Sequence, residues 1–134
     1  ALRAEPEVVA PNGARAAATF LPDGSLRIRV SCGDPLDEVV LRSYCVGAAH
    51  MALGWVTSEG IAVDDAGEVH DLTIRSFGVL RAQDMPPVHV DIDAGADPTP
   101  PVNGSDAVFA AVAAAAWLER GLPRDWPTDR EKLA

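Results

Sequence analysis

Apolar residues first cluster in two short runs, 14–21 and 26–31, separated by Pro22-Asp23-Gly24-Ser25, a turn sequence that predicts a β-hairpin. From residue 35 to 53 the spacing becomes helical. Leu36, Val40, Gly47 and Met51 recur on one side, and Val39, Val46 and Leu53 on the adjoining one. Asp34 is placed to cap this helix, Pro35 suits its first position, and Gly54 suits a left-handed end. Gly47, Ala48, Ala49 and Ala52 would let another backbone approach closely, so the helix is expected to be buried. A second hairpin is expected where residues 55–63 and 68–75 flank Asp64-Asp65-Ala66-Gly67. Val88, Val90 and Ile92 then alternate with His89, Asp91 and Asp93, the pattern of a half-buried strand.

Pro98, Pro100 and Pro101 deny regular pairing to residues 95–103, which predicts an ordered loop. Ser105 is placed to cap a second helix, through about Arg120, with Asp106 in its first turn. Val108, Phe109, Val112, Ala116 and Trp117 are expected to form its contact with the sheet. The reading is one α+β domain over residues 14–121, two helices on a mainly antiparallel sheet, with an N-terminal arm at 1–13. A polar tail follows at 122–134, broken by two prolines, with Trp126 able to anchor it to this domain or to a second subunit.

With 134 residues the chain can bury a core of its own, and its formal charge of −9 argues against a partner with a phosphate backbone. No uninterrupted apolar run approaches the roughly 20 residues of a bilayer span, and the first residues hold neither a basic leader nor an apolar signal core. A cytoplasmic protein without membrane or nucleic-acid binding is the expectation. Cys32 and Cys45, the two cysteines, form no Cys-x-x-Cys pair and are expected to be reduced, buried thiols. His50, His70 and His89 do not have the spacing of a zinc site. His70 shares strand parity with Leu72 and Ile74, so a core-facing ring hydrogen-bonded to Tyr44 or His50 is expected.

The run 31–55, SCGDPLDEVVLRSYCVGAAHMALGW, resembles the C-terminal molybdopterin-binding region of the xanthine dehydrogenase and aldehyde oxidase family. There an Asp-Cys-Gly strand end leads to Asn-Pro, a helical Gln-x-x-Gly-Gly and a closing Gly-Leu-Gly. Cys32-Gly33 takes the Cys-Gly position and Asp37-Glu38 falls on Asn-Pro. Tyr44 falls on the glutamine, Gly47 on the first glycine, and Ala52-Leu53-Gly54 on the closing motif. Residues 73–92 resemble the family's next strand and loop, closest at Gln83-Asp84-Met85-Pro86. Asn103-Gly104-Ser105-Asp106 stands where the family has the Gly-x-Gly-Glu turn whose glutamate is its base; Asp106 is one methylene shorter.

The resemblance implies a catalytic role for Asp106 and cofactor contacts from Gly47, Gly104 and Ser105; the residues themselves add Tyr44 as a second catalytic candidate, its phenol able to orient a ligand, and Asp37, Glu38, His50 and His70 as candidate substrate contacts. It implies a small component of a molybdenum-hydroxylase-type oxidoreductase, completing a site with larger oxidoreductase subunits or within a homo-oligomer. The isolated chain is expected to hold no cofactor, with molybdopterin bound only if partner chains complete the site. The alternative is a cofactor-independent domain binding a small organic molecule and catalysing proton transfer, cyclisation or isomerisation. In either case a pocket is expected between the first helix and the loop entering the second, with Tyr44 and Asp106 facing it.

Overall fold

The Pro22–Ser25 turn closes as its chemistry requires: Gly24 takes φ +86°, and Asp23 Oδ1 accepts from the Ser25 amide at 2.9 Å and its hydroxyl at 2.6 Å. It joins β2 (Arg15–Phe20) to β3 (Leu26–Ser31) in antiparallel register, Ala16 opposite Val30 and Ala18 opposite Ile28. A computed structural model describes residues 5–129. Within the expected N-terminal arm lies β1 (Glu7–Val9), which pairs antiparallel with β2 of its own chain. The strand β6 (Val88–Ile92) joins the other side of β3 in parallel, giving the order β1-β2-β3-β6.

Two long helices cover one face of this sheet. The first, α1 (Glu38–Thr57), forms the crossover between the parallel strands, and α3 (Ser105–Glu119) packs on β2 and on α1. Leu26, Ile28 and Val30 are buried beneath them with Val56, Val108 and Val112. The two helices pack on each other, and among the residues they bury are the small Ala48, Ala49 and Ala52 on α1 and Ala107, Ala111 and Ala115 on α3. Removing these surfaces from water stabilises the fold by roughly 25 cal/mol per Å² of apolar area. Of the expected α3 contacts Val108, Val112 and Ala116 are fully buried, Phe109 is partly buried, and Trp117 stays 37% exposed. The opposite sheet face is polar, with Arg27 paired to Asp91 at 2.8 Å and Arg29 to Glu5 at 2.9 Å.

Four local expectations are corrected. Asp37, not Asp34, caps α1, accepting from Val39 N at 2.8 Å and Val40 N at 3.1 Å, so Pro35 lies outside the helix. Gly54 is helical, and Ser58 closes the helix one turn later. Gly104, not Ser105, is the N-terminal flanking residue of α3, and its first turn is met by Asn103 Oδ1, which accepts from Ser105 N at 2.9 Å. The second hairpin shrinks to two-residue strands, β4 (Ala62–Val63) and β5 (Val69–His70), because α1 continues through Thr57 and Thr73 caps a short helix, α2 (Ile74–Phe77).

The larger correction concerns which side of α1 is buried. The expected core stripe faces outward: Leu36 is 92% exposed, Val39 74% and Met51 55%. Leu53 of that stripe is buried as expected, together with the small residues Ala48, Ala49 and Ala52 and with Cys45 and Val56. Both sides of the helix are apolar, and the side with small residues wins because alanine-rich α3 can come close only there. By length and composition α1 could cross a membrane, and its small-residue side packs within the domain.

The tail is held from residue 126 to 129. Trp126 packs edge-on against Trp55 with ring centres 4.8 Å apart, and Thr128 N and Asp129 N donate to Val56 O and Thr57 O at 2.8 and 3.0 Å.

Candidate functional site

Where β3 ends, the chain makes its tightest approach to the proline loop. Gly33 adopts φ +77°, and a Cβ there would lie 2.2 Å from the Pro100 carbonyl oxygen. Asp34 fastens the same contact, its amide donating to Thr99 O at 2.9 Å and its carboxylate accepting from Thr99 N at 3.1 Å. Val102 N donates to Cys32 O at 2.9 Å. Gly104 then lets α3 begin directly on β3, since a Cβ would meet Val30 Cγ2 at 3.2 Å and Cys32 Sγ at 3.4 Å. Asn12 clasps the loop from the β1–β2 turn, its amide donating to Asn103 O at 2.8 Å.

These contacts leave a cavity of about 380 Å³ between the start of α1 and the loop into α3. Leu36, Val40, Leu41 and Tyr44 form one wall, and Val102 to Ser105 the other. Cys32 and Asp37 also line it. The lining contains one carboxylate, already accepting two helix amides, and no Lys, Arg or His. Burial pushes the Cys32 thiol up, and burial followed by neighbouring Cys32 pushes Cys45 up to about 11, so both are protonated, weakly nucleophilic thiols at neutral pH.

The structure brings together Tyr44, Asp37, Gly104 and Ser105 of the residues singled out in the sequence. It does not bring Asp106 to them: this residue is exposed in the first turn of α3 and outside the lining, so the expected meeting of Tyr44 and Asp106 in one pocket is corrected. Glu38 is exposed and pairs with Arg42 at 3.8 Å. Gly47 lies on the open side of α1 with nothing near its Cβ position. His50 Nε2 donates to the Leu80 carbonyl at 2.7 Å. His70 is corrected outright: it is exposed on β5 and pairs with Asp64 at 2.9 Å, not with Tyr44 or His50, and its hydrogen bond is the main cause of a lowered Asp64 pKa. Among the described residues no three His, Cys, Asp or Glu side chains gather as a metal site.

Sequence reasoning missed Leu36, Val40 and Asn103 as site residues. The first two carry the signal of core positions, and only the choice of buried face moves them to the pocket. Asn103 had a legible signal, an Asn-Gly pair just before a helix.

No family model matches the chain, and no curated protein does. Solved structures do. A Cu,Mo-CO dehydrogenase in its carbon monoxide reduced state superposes with a TM-score of 0.63 at 14% identity, over 87% of this chain and 17% of that one. Reconstituted CO dehydrogenase from Oligotropha carboxidovorans gives 0.64 at 15%, over 90% and 18%. Quinoline 2-oxidoreductase from Pseudomonas putida 86 gives 0.62 at 15%, over 87% and 17%. The likeness is one of fold, and this chain spans about one sixth of the length of each of these structures.

Proposed function

We propose that this chain is a component of a molybdenum-hydroxylase-type oxidoreductase, closing one side of a site that partner chains complete. The observation that carries the reading is the fold shared with CO dehydrogenase and quinoline 2-oxidoreductase over nearly the whole of this chain and a small part of theirs. The cavity between α1 and the proline loop supports it, because that junction is where the family resemblance assigns cofactor contacts. The lining does not fit molybdopterin unaided. A phosphate-bearing pterin calls for cationic side chains or free amides, and the cavity presents one carboxylate and no cation. Those donors therefore fall to partner chains, and this chain contributes shape and apolar surface.

The test is capture of the chain from the cells that make it, with molybdenum measured per mole of captured complex. Molybdenum is expected in the complex, and less than about a tenth of an equivalent in the chain purified alone. A captured chain without other subunits and without molybdenum would overturn the reading.

A second reading, a cofactor-independent binder of small organic molecules, is favoured by the cavity's volume and apolar wall in the single chain. Its polar handle is Tyr44, since Asp37 is engaged at the helix start. Loss of the phenol hydroxyl in Tyr44→Phe is then expected to weaken binding of a phenolic or carbonyl ligand about tenfold, the worth of one hydrogen bond.

A further inference from the structure

The sheet ends at β6, and its ladder to β3 fixes which way each backbone group of that strand points. Leu26 N donates to Pro87 O at 2.9 Å and Asp93 N to Val30 O at 2.8 Å. In a parallel pair the bonded residues alternate, so His89 and Asp91 turn their amides and carbonyls to β3, while Val88, Val90 and Ile92 turn theirs outward. Among the described residues no backbone group meets that outer row. A side chain does. Arg42, in the first third of α1, donates through Nη1 to Val90 O at the middle of the strand. Glu38, one turn back on the same helix, lies 3.8 Å from the guanidinium.

We propose that Arg42 is a guard, which keeps a second copy of this chain from adding to the sheet through β6. An open strand edge is a template for another strand, and this edge is self-complementary. Antiparallel pairing about a two-fold axis at Val90 sets Val88 against Ile92 and Val90 against its counterpart. Both are doubly hydrogen-bonded pairs, because these are the residues whose backbone groups face outward. Val88 then meets Ile92 on the side packed against the core, and His89 meets Asp91 on the exposed side. Arg42 stops this pairing at its centre. Val90 O must leave the guanidinium to accept from the second copy's Val90 N, and the axis brings the two Arg42 cations together on the helix side of the sheet.

Sedimentation equilibrium from 1 to 100 µM and amide exchange test this. In the wild-type chain the amides of Val88, Val90 and Ile92 are expected to exchange faster than those of His89 and Asp91 by about a hundredfold. Arg42→Ala is expected to approach twice 14.1 kDa at the upper concentrations, with its outward amides slowed about tenfold. Arg42→Lys keeps a cation at the edge and should match the wild type. Adding Val90→Pro to Arg42→Ala should restore the wild-type mass, since the amide removed points outward and makes no bond to β3. An Arg42→Ala chain of wild-type mass, association that Val90→Pro leaves intact, or equal exchange of the two sets of amides in the wild type would overturn the proposal. None of these outcomes bears on molybdenum in a captured complex, so the oxidoreductase reading stands or falls separately.

Discussion

Replacing Gly33 by alanine tests whether the cavity owes its shape to one backbone contact. Two costs add. The left-handed conformation at φ +77° costs a residue with a Cβ about 1–2 kcal/mol. The new methyl would also lie 2.2 Å from the Pro100 carbonyl oxygen, a backbone atom that can retreat only with its loop. Retreat sacrifices hydrogen bonds on either side, from Asp34 N to Thr99 O and from Val102 N to Cys32 O, each worth roughly 1 kcal/mol. The expected loss is about 3–4 kcal/mol, a large share of the 5–15 kcal/mol by which domains are stable. Gly13→Ala is the internal control, because Gly13 has φ +88° and no atom within 4 Å, leaving the conformational cost of about 1–2 kcal/mol alone. Urea unfolding followed by far-ultraviolet circular dichroism measures both. Equal losses in the two variants would refute the argument that the Gly33–Pro100 approach holds the loop over the cavity.

Three further outcomes are expected. Asp37→Ala should cost about 1 kcal/mol in urea unfolding through loss of the α1 cap, whereas Asp34→Ala should leave helix content unchanged and raise amide exchange at Thr99. The Asp129 carboxyl lies below its usual range chiefly because Arg120 hydrogen-bonds to it, so the pair's contribution is present above about pH 4 and is lost as pH falls through the depressed value; Trp126 fluorescence should report release of the tail there, and Arg120→Gln should abolish that step. Cys45 should resist iodoacetamide at pH 7 in the folded chain and react in urea, with a mass shift on tryptic peptides as the readout.

The β2–β3 hairpin was legible because Pro22–Ser25 specifies its own turn through contacts four residues apart. The start of α1 was not, since Asp34-Pro35 and Asp37-Glu38 both carry a cap signature and the decision rests on Thr99, far along the chain, which engages Asp34. Periodicity could not choose the buried side of a helix apolar on both, because the choice depends on how closely α3 approaches. The same ambiguity hid the cavity wall at Leu36 and Val40. The place of the cavity was readable from the proline run, while its lining was not: Ser105 and Asp106 are neighbours in sequence but about 100° apart around a helix, and only Ser105 reaches it.

The parallel pairing of β3 with β6 has a kinetic consequence. The hairpin of β2 and β3 closes across the five residues 21–25, but β6 can take its place only after residues 32–87 have been threaded over the sheet as α1 and its loops. Loop closure over such a separation is slow relative to hairpin formation, so the edge of β3 waits unpaired while α1 and α3 collapse onto the hairpin. On that account the nascent chain passes through a species with an open strand edge and an apolar helix face at once, the moment at which it is most prone to capture by a chaperone or to aggregation.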